Sequence, residues 1–280
     1  MPNIQQAISN YNAMLKELFP KECPVFNPKA VLFDMDGVIY DSMPHHAIAW
    51  TQSLAEFGVH MTKHDAYATE GARGFDTVRR MVEREKGITI SEERAKEIYQ
   101  EKARIFHNMP EAPIFEGVKT LMQQIKACGM SVNVVTGSAQ KPLINRLLTD
   151  FSDFLTPDHI TTAYDVRRGK PDPDPYQTGL RKAGELQPWE GIVVENAPLG
   201  VRSGVAAHIF TVAINSGPLP DNALTNEGCN LLYPAITDLL NDWPSIAAAK
   251  SINSHSIRLI ARCYPYIPHI IIYTKLKGYV

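Results

Sequence analysis

The chain opens with Ile4, Ile8, Tyr11, Leu15 and Leu18 at three- and four-residue intervals, the spacing of one helical face, and Pro20 ends the pattern. Ala30-Val31-Leu32-Phe33 follows, four apolar residues in succession, which reads as a strand buried on both faces. From about Pro44 to Pro113 the pattern is helical only. One segment runs to Phe57 and is closed by Gly58, a second starts at Thr62 with Asp65 three residues on, and a third starts at Ser91 ahead of Glu92 and Glu93. Strand and helix then alternate. A helix leads from Phe115-Glu116-Gly117-Val118 to about Lys126 with Gly129 as its stop. Ser131–Val135, Ile192–Val194 and Ile209–Ala213 are short β-branched runs separated by helical stretches. This alternation predicts an α/β fold with a doubly wound parallel sheet, whose ligands sit beyond the carboxyl ends of its strands.

The pattern divides the chain into an N-terminal helix and first strand (1–43), an all-helical insert (44–113), the rest of the α/β core (114–250) and a tail (251–280). The tail carries Arg258, Arg262, Lys275 and Lys277 but no acidic residue, and Pro265 and Pro268 interrupt its apolar positions. It reads as an appendage without a catalytic role, with a membrane-touching or partner-binding segment as the alternative. Composition changes this picture little. Apolar residues make up 44% and charged residues 21%, ordinary values for a soluble globular chain. A net charge of −2 gives no electrostatic reason to expect nucleic acid or an anionic membrane as a partner. No apolar run is long enough to span a bilayer, and the N-terminus lacks the pattern of a secretory signal. Cys23, Cys128, Cys229 and Cys263 are scattered without metal-ligand spacing, which predicts reduced thiols and a cytoplasmic location. The stretch 79–104, dense in Arg, Glu and Lys, reads as a solvated helix face.

Candidate chemistry begins where the first strand ends, at Asp34-Met35-Asp36-Gly37. Carboxylates at i and i+2 of an extended segment point the same way, and Gly37 permits a sharp turn that brings both to one ligand. Two anions so placed repel unless a cation or a shared proton intervenes. A divalent metal with a carboxylate nucleophile is one reading, and a strand ending in solvated turn aspartates is the other. An EF-hand loop starts similarly, but the further oxygen ligands and the closing Glu are missing.

The stretch from Asp34 to Val38-Ile39-Tyr40-Asp41-Ser42 resembles the first signature of the haloacid dehalogenase superfamily, in its branch of sugar-phosphate phosphatases and β-phosphoglucomutases. Three later segments extend the resemblance, which runs from about Lys29 to about Ala249. Thr136-Gly137-Ser138, after the strand at 131–135, places a hydroxyl and backbone N–H groups where phosphate oxygens can be held. Gly169-Lys170-Pro171-Asp172-Pro173 fixes an ammonium on stiff backbone, suited to neutralising a nucleophile and a transferring phosphoryl group together. Glu195-Asn196-Ala197-Pro198-Leu199-Gly200-Val201 is similar to the fourth signature, with Asn196 standing where the family has an acidic residue that contacts magnesium directly.

The resemblance implies a Mg2+ cofactor held by Asp34, the backbone carbonyl of Asp36 and Asn196, with Glu195 acting through water. It implies a helical cap made by residues 44–113, Asp34 as nucleophile, Asp36 as general acid and base, and Lys170, Thr136, Gly137 and Ser138 around a phosphoryl group. His46 and Trp50 match the mutase's cap-entry pattern. Glu70 stands where the mutase has a lysine, and Arg73 is a neighbouring cation. The expected activity is a phosphatase of a small phosphorylated metabolite, with a sugar phosphate as substrate and the chain a monomer or weak homodimer. A β-phosphoglucomutase is the alternative, and a non-catalytic sugar-phosphate-binding relative a further one. Asp36 argues against dehalogenase and phosphonate-hydrolase chemistry, because relatives with those activities lack this second aspartate.

Overall fold

A computed structural model describes residues 3–138 and 140–248; the tail at 251–280 lies outside the described residues. The first helix, α1 (Ile4–Leu18), is capped by Asn3, whose side chain accepts from the Gln6 N–H, and it buries Ile8, Tyr11 and Leu15. Strand β1 (Ala30–Phe33) is buried along its whole length. Four helices follow: α2 (Met43–Glu56), α3 (Lys63–Ala68), α4 (Gly74–Lys86) and α5 (Glu92–His107). The starts read from sequence are present, with a reciprocal capping box between Thr62 and Asp65 and Ser91 capping α5 through the Arg94 N–H. Then come α6 (Val118–Ala127), β2 (Ser131–Val135), α7 (Lys141–Asp150), β3 (Ile160–Thr161), α8 (Asp174–Lys182) and β4 (Gly191–Glu195). The series ends with α9 (Pro198–Ala206), β5 (Phe210–Ile214), α10 (Asn222–Thr225), β6 (Leu231–Tyr233) and α11 (Ile236–Ala248). The short strands β3 and β6 carry too few residues to show a period, so the pattern of apolar positions did not reveal them.

All six strands are parallel, in the order β3-β2-β1-β4-β5-β6. Alternation along the strands feeds two cores. Val31, Phe33, Val132, Val134, Ile192 and Val194 face the larger one, shared with α1, α6 and α11, while Leu32, Val135 and Val193 face Tyr176 and Leu180 of α8. The helical insert has its own cluster, including Trp50, Leu54, Met61, Val78, Met81, Val82 and Ile98. No helix of the described residues is long and apolar enough to cross a membrane.

From β1 the chain runs outward to β2 and β3, then crosses back to place β4 on the other side of β1. The carboxyl ends of β1, β2 and β4 therefore meet at the topological switch point, where open α/β sheets bind their ligands. Asp34, Thr136 and Glu195-Asn196 stand at those three ends.

Candidate active site

Asp34 extends β1 by one ladder bond, its N–H donating to the Val194 carbonyl at 2.9 Å. Gly37 then turns the chain with φ +83°, its N–H bonding the Tyr40 carbonyl at 2.8 Å. A side chain at Gly37 would overlap the amide of Asn196, so two constraints, the left-handed backbone and a close neighbour, require glycine there. The Ser216 hydroxyl fastens the same turn by donating to the Gly37 carbonyl at 2.6 Å.

Lys170 reaches this point from the loop before α8. Its Nζ donates to Asp34 Oδ1 at 2.6 Å, Glu195 Oε1 at 2.6 Å and the Val135 carbonyl at 3.0 Å, and the residue is only 3% exposed. Glu195 is fully engaged by the protein. Oε1 also accepts from the Tyr176 hydroxyl at 2.7 Å, and Oε2 accepts the N–H groups of Asn196 and Ala197. Two carboxylates thus share one ammonium. Burial pushes the Asp34 carboxyl up; Lys170 pulls it back, Glu195 and Asp36 push it further, and the net shift is upward. For Lys170, burial disfavours the charge, but Asp34 and Glu195 outweigh it and hold the ammonium charged.

Gly200, on the first turn of α9, makes room for this network, since a Cβ there would overlap the Glu195 carboxylate. Gly200→Ala should displace Glu195, leaving Tyr176 and Lys170 short of a partner. Disrupting a buried pair in this way costs about 3–5 kcal/mol, so the melting temperature should fall by about 10 °C. A melt unchanged to within about a degree would show that the carboxylate has room to move.

Asp36 is held differently. Its Oδ1 accepts from the Ser42 hydroxyl at 2.6 Å and lies 3.1 Å from His46 Nε2. Burial alone pushes its carboxyl up, yet His46, Ser42 and Lys102 more than offset this, lowering the pKa to about 2. Behind His46 stands Lys102, with Nζ 2.6 Å from Nδ1. Lys102 is 2% exposed, lies against the rings of Trp50, Tyr99 and Phe106, and is lowered to about 8 by burial, with Glu70 and Asp36 resisting.

Lys102 is an exception to the solvated helix face read over 79–104. Arg79, Arg80 and residues 83–86 are exposed, but Lys102 belongs to the buried stripe Ala95, Ile98, Lys102, Phe106 of α5. That helical spacing was the available signal, hidden by the surrounding charge. Tyr176, the hydroxyl partner of Glu195, carried no comparable sign.

The loop after β2 is tied by its own side chains. Thr136 Oγ1 accepts the Ser138 N–H at 3.0 Å and Ser138 Oγ accepts the Gln140 N–H at 3.3 Å. Against it sits the loop between α3 and α4. A Cβ on Gly137 would lie 2.8 Å from the Gly71 carbonyl oxygen, and one on Gly71 would lie 3.2 Å from Lys170 Cδ and 3.7 Å from the Gly200 nitrogen. The helical insert is therefore closed onto the core. Together they enclose a small cavity lined by Asp36, His46, Trp50, Glu70, Tyr99, Lys102, Gly137, Ser138 and Gln140, among others. Arg73 is not in that lining. Its Nε pairs with Asp76 at 2.7 Å and its Nη1 donates to the Arg167 carbonyl at 2.9 Å.

Among the described residues no three His, Cys, Asp or Glu side chains form a metal cluster. Two observations nevertheless fit a hard cation near Asp34. Asn196 Oδ1 is buried without a hydrogen-bond partner, and Asp34 and Glu195 share one ammonium, so a cation beside Asp34 would favour its ionised form.

Comparison with known proteins agrees with the architecture. A family model described as haloacid dehalogenase-like hydrolase matches residues 31–214. Hexitol phosphatase A of Escherichia coli (strain K12) is 29% identical over 190 residues, 67% of this chain and 83% of that protein. Beta-phosphoglucomutase of Bacillus subtilis (strain 168) is 26% identical over 210 residues, 68% of this chain and 84% of its own. A solved structure titled "Putative beta-phosphoglucomutase from Bacteroides vulgatus" superposes with a TM-score of 0.81 at 41% identity, covering 89% of this chain and 98% of that one. With most of the α/β core inside the matched span and Asp34, Thr136, Lys170 and Glu195-Asn196 gathered at the switch point, the chain belongs to the haloacid dehalogenase-like hydrolase family.

Proposed function

We propose that the protein is a magnesium-dependent phosphatase of a small phosphorylated metabolite, a sugar or polyol phosphate, acting through an aspartyl-phosphate. The observation that carries this reading is the buried Lys170 bridging Asp34 and Glu195 at 2.6 Å each. It holds Asp34 Oδ1 and leaves Oδ2 to attack. Phosphatase names among the relatives, such as hexitol phosphatase A and 6-phosphogluconate phosphatase, support the reaction class.

In the first step Asp34 Oδ2 forms a bond to phosphorus as the ester oxygen leaves in line, and Asp36 gives that oxygen a proton. In the second, Asp36 takes a proton from water, whose oxygen attacks the same phosphorus and frees the Asp34 carboxylate. Asp36 needs its proton for the first step although its pKa is lowered to about 2 without substrate. A phosphoryl dianion arriving beside it raises that value, so binding itself favours the acid form. Lys170 neutralises equatorial oxygens that the Thr136 hydroxyl and Gly137 N–H position. Magnesium, held by Asp34, the Asp36 carbonyl and Asn196, would supply further charge neutralisation. Glu195 acts by fixing Lys170. The helices of 44–113 serve as a cap that excludes competing water.

A mutase is the second reading, favoured by the similarity to the Bacteroides vulgatus structure. Glu70 opposes it, because a carboxylate lining the cavity repels the second phosphate of a sugar bisphosphate. The test is phosphate release from p-nitrophenyl phosphate with magnesium and with EDTA, beside β-glucose 1-phosphate with a coupled glucose 6-phosphate readout. Release that EDTA abolishes is expected. Isomerisation with little free phosphate would transfer the assignment to the mutase, and no turnover of either compound would leave a binding protein.

A further inference from the structure

The cavity between insert and core has an unusual balance of charge and hydrogen-bonding groups. On the phosphatase reading, on which this inference rests, it receives the leaving group, because Asp36 forms one wall and would protonate the departing oxygen. Among the described residues that line it, the one Lys or Arg side chain is Lys102, and that ammonium is already committed. It bonds His46 Nδ1 at 2.6 Å, has the rings of Trp50, Tyr99 and Phe106 about it, and faces the charges of Glu70 and Asp36. Arg73, the cation nearest in sequence to Glu70, is spent outside the cavity on Asp76 and the Arg167 carbonyl. Burial pushes the Glu70 carboxyl up, while His46, Lys102 and the Gly71 N–H hold it back; an anionic substituent on the leaving group would meet that buried acid with no cation left to receive it.

The hydroxyls of Thr69, Thr77 and Ser138 also line the cavity, and one acceptor in it lacks a donor. Gln140 Oε1 is buried with no donor, while the Nε2 of the same amide is turned to the Tyr99 hydroxyl at 3.2 Å. Glu70 adds a carboxylate that already accepts the Gly71 N–H and has room for a further donor. Hydroxyl groups are the donors that satisfy such acceptors without bringing charge. Trp50 and Tyr99, with ring centroids 5.9 Å apart, offer an apolar wall for the carbon chain between hydroxyls.

We propose that Glu70 and Gln140 are specificity-determining residues that select an uncharged, polyhydroxylated leaving group and reject phosphoesters bearing a second phosphate or a carboxylate. The phosphoryl site would accept any monoester, and the Glu70–Gln140 wall would discriminate by what the ester carries.

The test uses matched pairs that differ only in one terminal group: sorbitol 6-phosphate against 6-phosphogluconate, and glycerol 3-phosphate against 3-phosphoglycerate, with p-nitrophenyl phosphate as reference. In each pair the neutral member should have kcat/KM higher by about a hundredfold, the order expected for one unscreened like-charge contact in a protein cleft. Glu70→Gln keeps the shape and removes the charge, so it should raise kcat/KM for the acid members by about tenfold and narrow the ratio. Gln140→Leu should raise KM for the neutral members. Equal turnover within both pairs, with p-nitrophenyl phosphate hydrolysed, would overturn the inference and leave the phosphatase reading standing. An unchanged ratio in Glu70→Gln would remove Glu70 from the assignment. Failure to release phosphate from any compound, the reference included, would remove the phosphatase reading and the inference together.

Discussion

Asp34→Asn abolishes phosphate release, by at least about 10⁴-fold, while the protein remains folded. An amide cannot attack phosphorus, and the structure offers no substitute. Asp36 is held toward Ser42 and His46, on a different arm of the turn, and both oxygens of Glu195 are taken by protein donors. The fold survives because Lys170 keeps Glu195 and the Val135 carbonyl as partners. Replacing the carboxylate removes a buried charge whose desolvation, with repulsion from Glu195 and Asp36, raises the Asp34 pKa, so the melting temperature should hold or rise. The measurement is phosphate release by wild type and variant at saturating magnesium, with a thermal melt of each. Residual activity above about 1% of wild type in a homogeneous preparation would place the nucleophile elsewhere.

The architecture was legible because a parallel sheet buried on both faces leaves continuous apolar runs. Val31-Leu32-Phe33 and Ile192-Val193-Val194 need no partner in view to be recognised as strands. The helix starts at Thr62 and Ser91 were legible for a different reason: capping is local, and both partners lie within three residues. The candidate site was readable where its residues follow directly on a strand, as Asp34, Thr136 and Asn196 do. What stayed hidden depends on contacts across the chain. Lys102 meets His46 over 56 residues of sequence and Tyr176 meets Glu195 over 19. No local pattern announces either. Glu195 is the instructive case, since its place in a motif marked it for attention while its partners, Lys170 and Tyr176, define what it does. Arg73 is the reverse, a cation in a suggestive position whose side chain turns toward Asp76 and the core loop at Arg167.

Asn196→Asp lowers the magnesium concentration for half-maximal rate, by about tenfold to a thousandfold. One buried atom points to this outcome. Asn196 Oδ1 has no hydrogen-bond partner, a state a native protein rarely tolerates unless something absent from the chain completes it. An amide oxygen can ligate a hard cation, but it brings no charge, and a carboxylate in its place adds a negative charge at ligand distance, about 2.1 Å. The same substitution has a cost in the absence of metal. It adds a further anion beside Asp34 and Glu195, which already share the single ammonium of Lys170. The metal-free variant should therefore melt below wild type and recover as magnesium is added, a readout independent of turnover. Gly37 keeps the position sterically fixed, so the new carboxylate occupies nearly the same volume as the amide. The experiment is a magnesium titration of both proteins, once by rate at saturating substrate and once by melting temperature without substrate. Tighter binding need not raise the maximal rate, so the midpoint is the quantity to compare. If the midpoint does not fall in the variant and its metal-free melt matches wild type, Asn196 does not face the cation, and the cation's ligands must be sought around Asp34 and Asp36 alone.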